Sequence, residues 1–131
     1  MNVVIDTSAW IEYLSDGRYA DEIESIIQDP DSAILVPAIV LAEIRSVVER
    51  KVGRDDAEKA VDYIRENFPV LELTEDLAVR AGELHAELRR KQKDISLADC
   101  IIMAHVERIH ARVITLDRHF RLWEGSVVLG D

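Results

Sequence analysis

Short β-branched runs recur along this chain, and between them apolar residues return every three or four positions. Val3-Val4-Ile5, Ala33-Ile34-Leu35-Val36, Val70-Leu71-Glu72-Leu73, Val113-Ile114-Thr115-Leu116 and Val127-Val128-Leu129 read as strands, the last one at an edge. Continuous apolar runs of this length suit a parallel sheet covered on both faces. Ile23, Ile26 and Ile27, then Ile39, Val40, Ile44, Val47 and Val48, then Leu77, Ala81, Leu84 and Leu88, are spaced as the inner faces of helices. Thr7 and Ser8 offer capping oxygens for a helix from Ala9 to Leu14. A second runs from Ala20 to Gln28 and breaks at Asp29-Pro30-Asp31. A third follows Pro37 from Ala38 to about Gly53, and Asp55 with Glu58 opens a fourth that ends near Asn67. Thr74 caps a helix to about Lys91, and Ser96 caps another through about Ile109. The expected fold is therefore α/β: a central, mostly parallel sheet of about four to five strands with helices on both faces. It forms one domain over residues 1–131.

Composition narrows the function classes. No run approaches the roughly 18–20 apolar residues of a membrane span. Asp6 interrupts the opening apolar run and no basic segment precedes it, which is not the pattern of a secretory signal. Cys100 is the only cysteine, so no intrachain disulfide forms, and a cytoplasmic location is expected. The net charge of −10 argues against nucleic-acid binding unless the acids gather around divalent metal or the bases share one face.

Four acids stand in unusual places. Asp6 ends the first strand and Asp117 follows the fourth, so both lie at the same end of one sheet, where open α/β folds bind ligands. Glu43 falls in the apolar stripe of Ile39, Val40 and Val47, and Arg45, two positions on, points elsewhere on the helix. Asp99 lies in Ser96-Leu97-Ala98-Asp99-Cys100, bordering the buried side marked by Ile102 and Met103. Each also has a purely structural reading. Asp6 caps a helix, Glu43 pairs with a distant Arg, Asp99 completes a capping box, and Asp117 forms a turn. Taken together they point to a dication, because two carboxylates about 5 Å apart repel by roughly 3 kcal/mol at an effective dielectric near 20. An all-oxygen set suits Mg²⁺ or Mn²⁺ and the polarisation of a phosphoryl group.

Asp6-Thr7-Ser8-Ala9-Trp10, Glu43, Ser96-Leu97-Ala98-Asp99-Cys100 and Thr115-Leu116-Asp117-Arg118-His119-Phe120, in this order and spacing, resemble the marks of PIN-domain ribonucleases. Within that family the chain is most similar to the VapC toxins of toxin–antitoxin pairs. The resemblance spans nearly the whole chain and implies that Asp6, Glu43 and Asp99 are the core catalytic, metal-binding acids, with Asp117 a fourth, more variable member. It implies that Thr7 or Ser8, and Thr115, support the site by hydrogen bonding. One or two Mg²⁺ or Mn²⁺ ions would activate water for in-line attack on an RNA phosphodiester, leaving a 5′-phosphate. It also implies a homodimer silenced by a small antitoxin that binds a hydrophobic groove and covers the site.

Among the remaining residues, Lys91, Lys93, Arg118 and Arg121 are the cations expected to flank the acids and guide phosphate. His119 is the one histidine near a candidate acid and is expected to face solvent. Cys100 reads as a small buried hydrophobe. Trp10, in the crowded first helix, reads as core, with a partner-binding patch as the alternative. Two other function classes stay open: a catalytically silent RNA- or protein-binding module, and an Mg²⁺-dependent phosphotransfer or phosphatase domain. The second lacks the further acid of an Asp-x-Asp motif after Asp6.

Overall fold

The computed structural model describes residues 1–130; Asp131, the last residue of the expected domain, lies outside them. Strand β1 (Asn2–Ile5) leads into helices α1 (Thr7–Leu14) and α2 (Ala20–Gln28), followed by β2 (Ala33–Ile34) and β3 (Val36–Pro37). Helices α3 (Ala38–Lys51) and α4 (Arg54–Asn67) precede β4 (Val70–Leu71). Then come α5 (Glu75–Leu88), α6 (Leu97–Ile109), β5 (Arg112–Thr115), a 3₁₀ turn (Arg118–Leu122) and β6 (Ser126–Val128). The main sheet is parallel throughout, in the order β2-β1-β5-β6, with the six helices around it. Every crossover in it therefore passes through helix or turn, as parallel pairing requires.

The stretch Ala33–Val36 is two strands, not the expected one. The Leu35 N–H donates to Val3 O at 2.9 Å, whereas the next N–H, of Val36, donates to Pro69 O at 3.0 Å. The chain thus changes partner across one peptide, and β3 forms a separate two-stranded sheet with β4. The stretch beginning at Val70 accordingly belongs to that small sheet and not to the main one. Pro37 has no N–H to extend a ladder, and α3 starts directly after it.

The core justifies the strand pattern. Val3, Val4, Ile5, Val113 and Ile114 are all buried, because the sheet is covered on both faces. Helix α6 buries Cys100, Ile102, Met103, Ala104, His105 and Val106. Trp10 has 0 % exposure and packs its ring 5.3 Å from Phe68 and 6.0 Å from Tyr13, so it is core.

Side-chain caps hold the starts of α1, α5 and α6, whereas α2, α3 and α4 start without one. Thr74 accepts from Leu77 N–H at 3.3 Å and Ser96 from Asp99 N–H at 3.0 Å, as expected. The cap of α1 is Asp6 itself, accepting from Ala9 N–H at 3.0 Å, while Thr7 and Ser8 sit inside the helix, the Thr7 hydroxyl donating to Glu43 and the Ser8 hydroxyl back to Asp6. Helix α4 starts at Arg54 behind Gly53, whose φ of 137° suits a residue without a side chain. Asp55 is therefore a first-turn acid rather than a cap. Among the described residues, no helix is long and apolar enough to cross a membrane.

Candidate active site

Parallel pairing of β1 with β5 brings the ends of these strands side by side, with Ile5 opposite Ile114. Asp6 leaves β1 with its N–H held by Ile114 O at 3.0 Å and only 3 % of its surface exposed. Oδ1 accepts from Ala9 N–H at 3.0 Å and from Ser8 Oγ at 2.7 Å, and Oδ2 accepts from Thr115 Oγ1. Burial nevertheless raises its pKa to about 6, overriding these three donors, with the Asp117 charge adding to the rise. Each hydroxyl is used twice. Ser8 also accepts from Leu116 N–H at 2.9 Å, and Thr115, itself fully buried, accepts from Asp117 N–H at 2.8 Å.

Glu43 projects from the middle of α3, half-buried, and its Oε1 accepts from Thr7 Oγ1 at 2.6 Å. Burial raises its pKa; the Thr7 bond opposes this, and the charges of Asp99 and Asp117 reinforce it. The cation nearest in sequence is committed elsewhere, since Arg45 pairs with Glu49 at 2.8 Å. Asp99, in the first turn of α6, is likewise raised by burial and then by Asp117. Asp117 opens the 3₁₀ turn, its Oδ1 accepting from His119 N–H at 2.9 Å.

Asp6, Glu43, Asp99 and Asp117 line one cavity of about 430 Å³, together with Thr7, Ser8 and Lys51. Among the described residues, no Lys, Arg or His forms an ion pair with Asp6 or Glu43. Four carboxylates from two strand ends and two helices thus converge with less positive charge than they need. Oxygen donors around a water-accessible hollow fit a hard dication.

Two residues take places the sequence reading did not assign. His119 remains partly exposed, as expected, but it also bridges three acids. Its Nε2 lies 3.0 Å from Asp94 Oδ2, and its Nδ1 lies 3.0 Å from Asp117 Oδ1 and 3.8 Å from Asp99 Oδ2. The hydrogen bond to Asp94 and the nearby acids raise its pKa against the effect of burial. Asp99, Asp117 and His119 could hold an ion between them, their ligand atoms all lying within 4.8 Å of one another. Lys51 lines the cavity at the end of α3, and its spacing from Glu43 through Val47 is a helical repeat that could have revealed it. Lys91, Lys93, Arg118 and Arg121 are exposed, and none of them lines the cavity. Cys100 is buried, which raises its thiol pKa to about 11, and His105 is buried with its pKa lowered by burial.

An α/β chain with helices around a parallel sheet and carboxylates gathered at the strand ends defines a class of acid-pocket fold. Comparison with known families sharpens this: the PIN domain family matches residues 3–123, and the chain belongs to that family. No curated protein matches the sequence. Among solved structures, VapBC2 from Rickettsia felis bound to a promoter DNA fragment is similar at a TM-score of 0.76 and 19% identity. The match covers 98% of this chain and 97% of that one. DNA-bound VapBC from Salmonella typhimurium is similar at a TM-score of 0.75 and 20% identity, over 98% and 96% of the two chains. VapC20 of Mycobacterium tuberculosis, a toxin that cleaves the sarcin–ricin loop, is similar at 0.70 and 18% identity, over 84% and 85%.

Proposed function

We propose that this protein is a metal-dependent endoribonuclease, the toxin of a VapC-type toxin–antitoxin pair. The observation that carries the reading is the convergence of Asp6, Glu43, Asp99 and Asp117 on one cavity in which Asp6 and Glu43 have no cationic partner. These four acids would hold one or two Mg²⁺ or Mn²⁺ ions, which supply phosphoryl polarisation and a water of lowered pKa. The chain's own residues do the positioning. Ser8 and Thr115 hold both oxygens of Asp6, and Thr7 holds one oxygen of Glu43, so each keeps its orientation under mutual repulsion. Water would attack phosphorus in line; the bond to the 3′ oxygen breaks and that oxygen takes a proton, leaving a 5′-phosphate. Arg118 and Arg121, in the turn directly after Asp117, would meet the phosphates entering this pocket.

An apolar groove of about 390 Å³ lined by Ile11, Leu14, Val47, Val48, Val52, Ala60 and Tyr63 adjoins the acid cavity, sharing Ile11, Val47 and Lys51 with it. This supports an antitoxin segment that fills the groove and covers the acids. Residues 1–131 as one domain, a homodimer and a cytoplasmic location complete the proposal.

The silent-module reading has one observation in its favour: Asp6 and Asp117 do serve as helix caps. The phosphotransfer reading is opposed by the burial of Asp6, whose two oxygens are both engaged by donors. One experiment separates them. With Mg²⁺ or Mn²⁺ the purified protein cuts structured RNA, EDTA stops it, and Asp6→Asn abolishes cleavage with the fold intact. Persistent cleavage in that variant would overturn the role of Asp6.

A further inference from the structure

The chain carries 26 acids against 16 Lys and Arg, yet four of those cations, Arg89, Arg90, Lys91 and Lys93, fall within five positions after α5. One or two cations there would satisfy the negative end of the helix dipole. Four exceed that need. Among the described residues none of the four is in an ion pair, although surface acids are abundant.

The segment that carries them is folded. Lys91 N–H and Gln92 N–H both donate to Leu88 O, at 3.0 and 2.9 Å, and Ile95 N–H donates to Gln92 O at 3.2 Å. Ile95 is buried, and its carbonyl lies 3.2 Å from His85 Nε2. Arg89, Arg90, Lys93 and His85 thereby frame an open hollow of about 530 Å³. It shares no lining residue with the acid cavity, and one short relay links the two: Asp94, next to Lys93, meets His119, which meets Asp117.

We infer that this hollow is a phosphate-binding exosite that grips the backbone of single-stranded RNA beside the phosphate being cut. The inference rests on the nuclease reading of the neighbouring pocket. It explains how a chain of charge −10 holds a polyanion: the acids and the bases occupy separate basins, linked by the Asp94–His119–Asp117 relay. Backbone phosphates would lie on the guanidinium and ammonium groups, and the strand would then cross the His119 rim into the acid cavity. No base-reading contact is required, so binding here would be indifferent to sequence.

The test uses the full chain in EDTA, where turnover plays no part, and fluorescence anisotropy with a labelled oligouridylate. A triple variant with Arg89→Gln, Arg90→Gln and Lys93→Gln should bind about tenfold or more weakly. The slope of log K against log salt should fall in magnitude by about 2 for three lost single-strand contacts. An unchanged affinity and slope would overturn the exosite. Displacement of the RNA by polyglutamate as readily as by unlabelled oligouridylate would overturn it in favour of an acidic-protein site. The nuclease reading fails separately, if the wild-type chain does not cut RNA with Mn²⁺; a binding difference in the triple variant would then still uphold the hollow as an RNA site.

Discussion

The Thr115 hydroxyl donates to Oδ2 of Asp6 and so ties the end of β5 to the end of β1. The same hydroxyl accepts the Asp117 N–H at 2.8 Å, so one oxygen orients two of the four acids. Thr115→Val keeps the shape and removes both functions. The ionised form of Asp6 then loses a donor, its pKa rises further, and the protein at pH 8 loses about 1–3 kcal/mol. Urea unfolding should show the loss at pH 8 and little of it near pH 4.

The raised carboxylates predict a pH profile for the metal-free protein. Asp6 moves from 3.8 to about 6, with burial as the main cause, and Glu43 and Asp99 move in the same direction. Their contribution to stability is full below the unfolded pKa values and lost as pH rises through the folded ones. Asp6 alone accounts for about 3 kcal/mol, lost between roughly pH 4 and pH 7. In EDTA, Asp6→Asn should flatten this dependence and melt above wild type at pH 8. Millimolar Mn²⁺ should raise the wild-type melting temperature more at pH 8 than at pH 5.

Lys51, exposed at the end of α3, lines the same cavity as the acids. Lys51→Glu adds a negative charge and removes a positive one, so two measurements should move in opposite directions. Mn²⁺ should bind several-fold tighter by calorimetry, and RNA several-fold weaker by anisotropy. Parallel changes in both would show that Lys51 acts through the fold instead.

His119 joins Asp94, on the segment before α6, to Asp117, on the segment after β5. A double-mutant cycle of His119→Gln with Asp94→Asn should give non-additive changes in melting temperature and in Mn²⁺ affinity. Additive effects would mean that the two side chains meet without coupling.

Trp10→Ala should cost about 3–5 kcal/mol in unfolding experiments, as expected for a large side chain removed from a packed core. A change below about 1 kcal/mol would contradict its position against Tyr13 and Phe68.

The parts legible in the sequence were those with a strong local signature. The runs Val3-Val4-Ile5 and Val113-Ile114 announced buried parallel strands, and acids just beyond them had to share one end of the sheet. Ser96 announced α6, and the apolar neighbours of Glu43 showed which way it turns. The change of partner after Leu35 was not legible, because ladders of two residues carry no periodicity. The cap of α1 stays open in the sequence between Asp6 and the pair Thr7 and Ser8, because all three can cap, and only the tertiary donors Thr115 and Leu116 decide how they divide the work. The contact of His119 with Asp94 is not legible, because the two are far apart in sequence.

The separate pairing of β3 with β4 has a further consequence for Glu43. Three of the acids are fixed to the main sheet or to the start of α6. Glu43 instead rides on a helix that begins where the small sheet ends, at Pro37. The spacing between that acid and the others thus depends on the Val36–Val70 pairing as well as on the Thr7 bond and the packing of α3 against α1 and α6. Repacking Val36 and Val70 offers a way to change the width of the pocket while leaving all four acids in place.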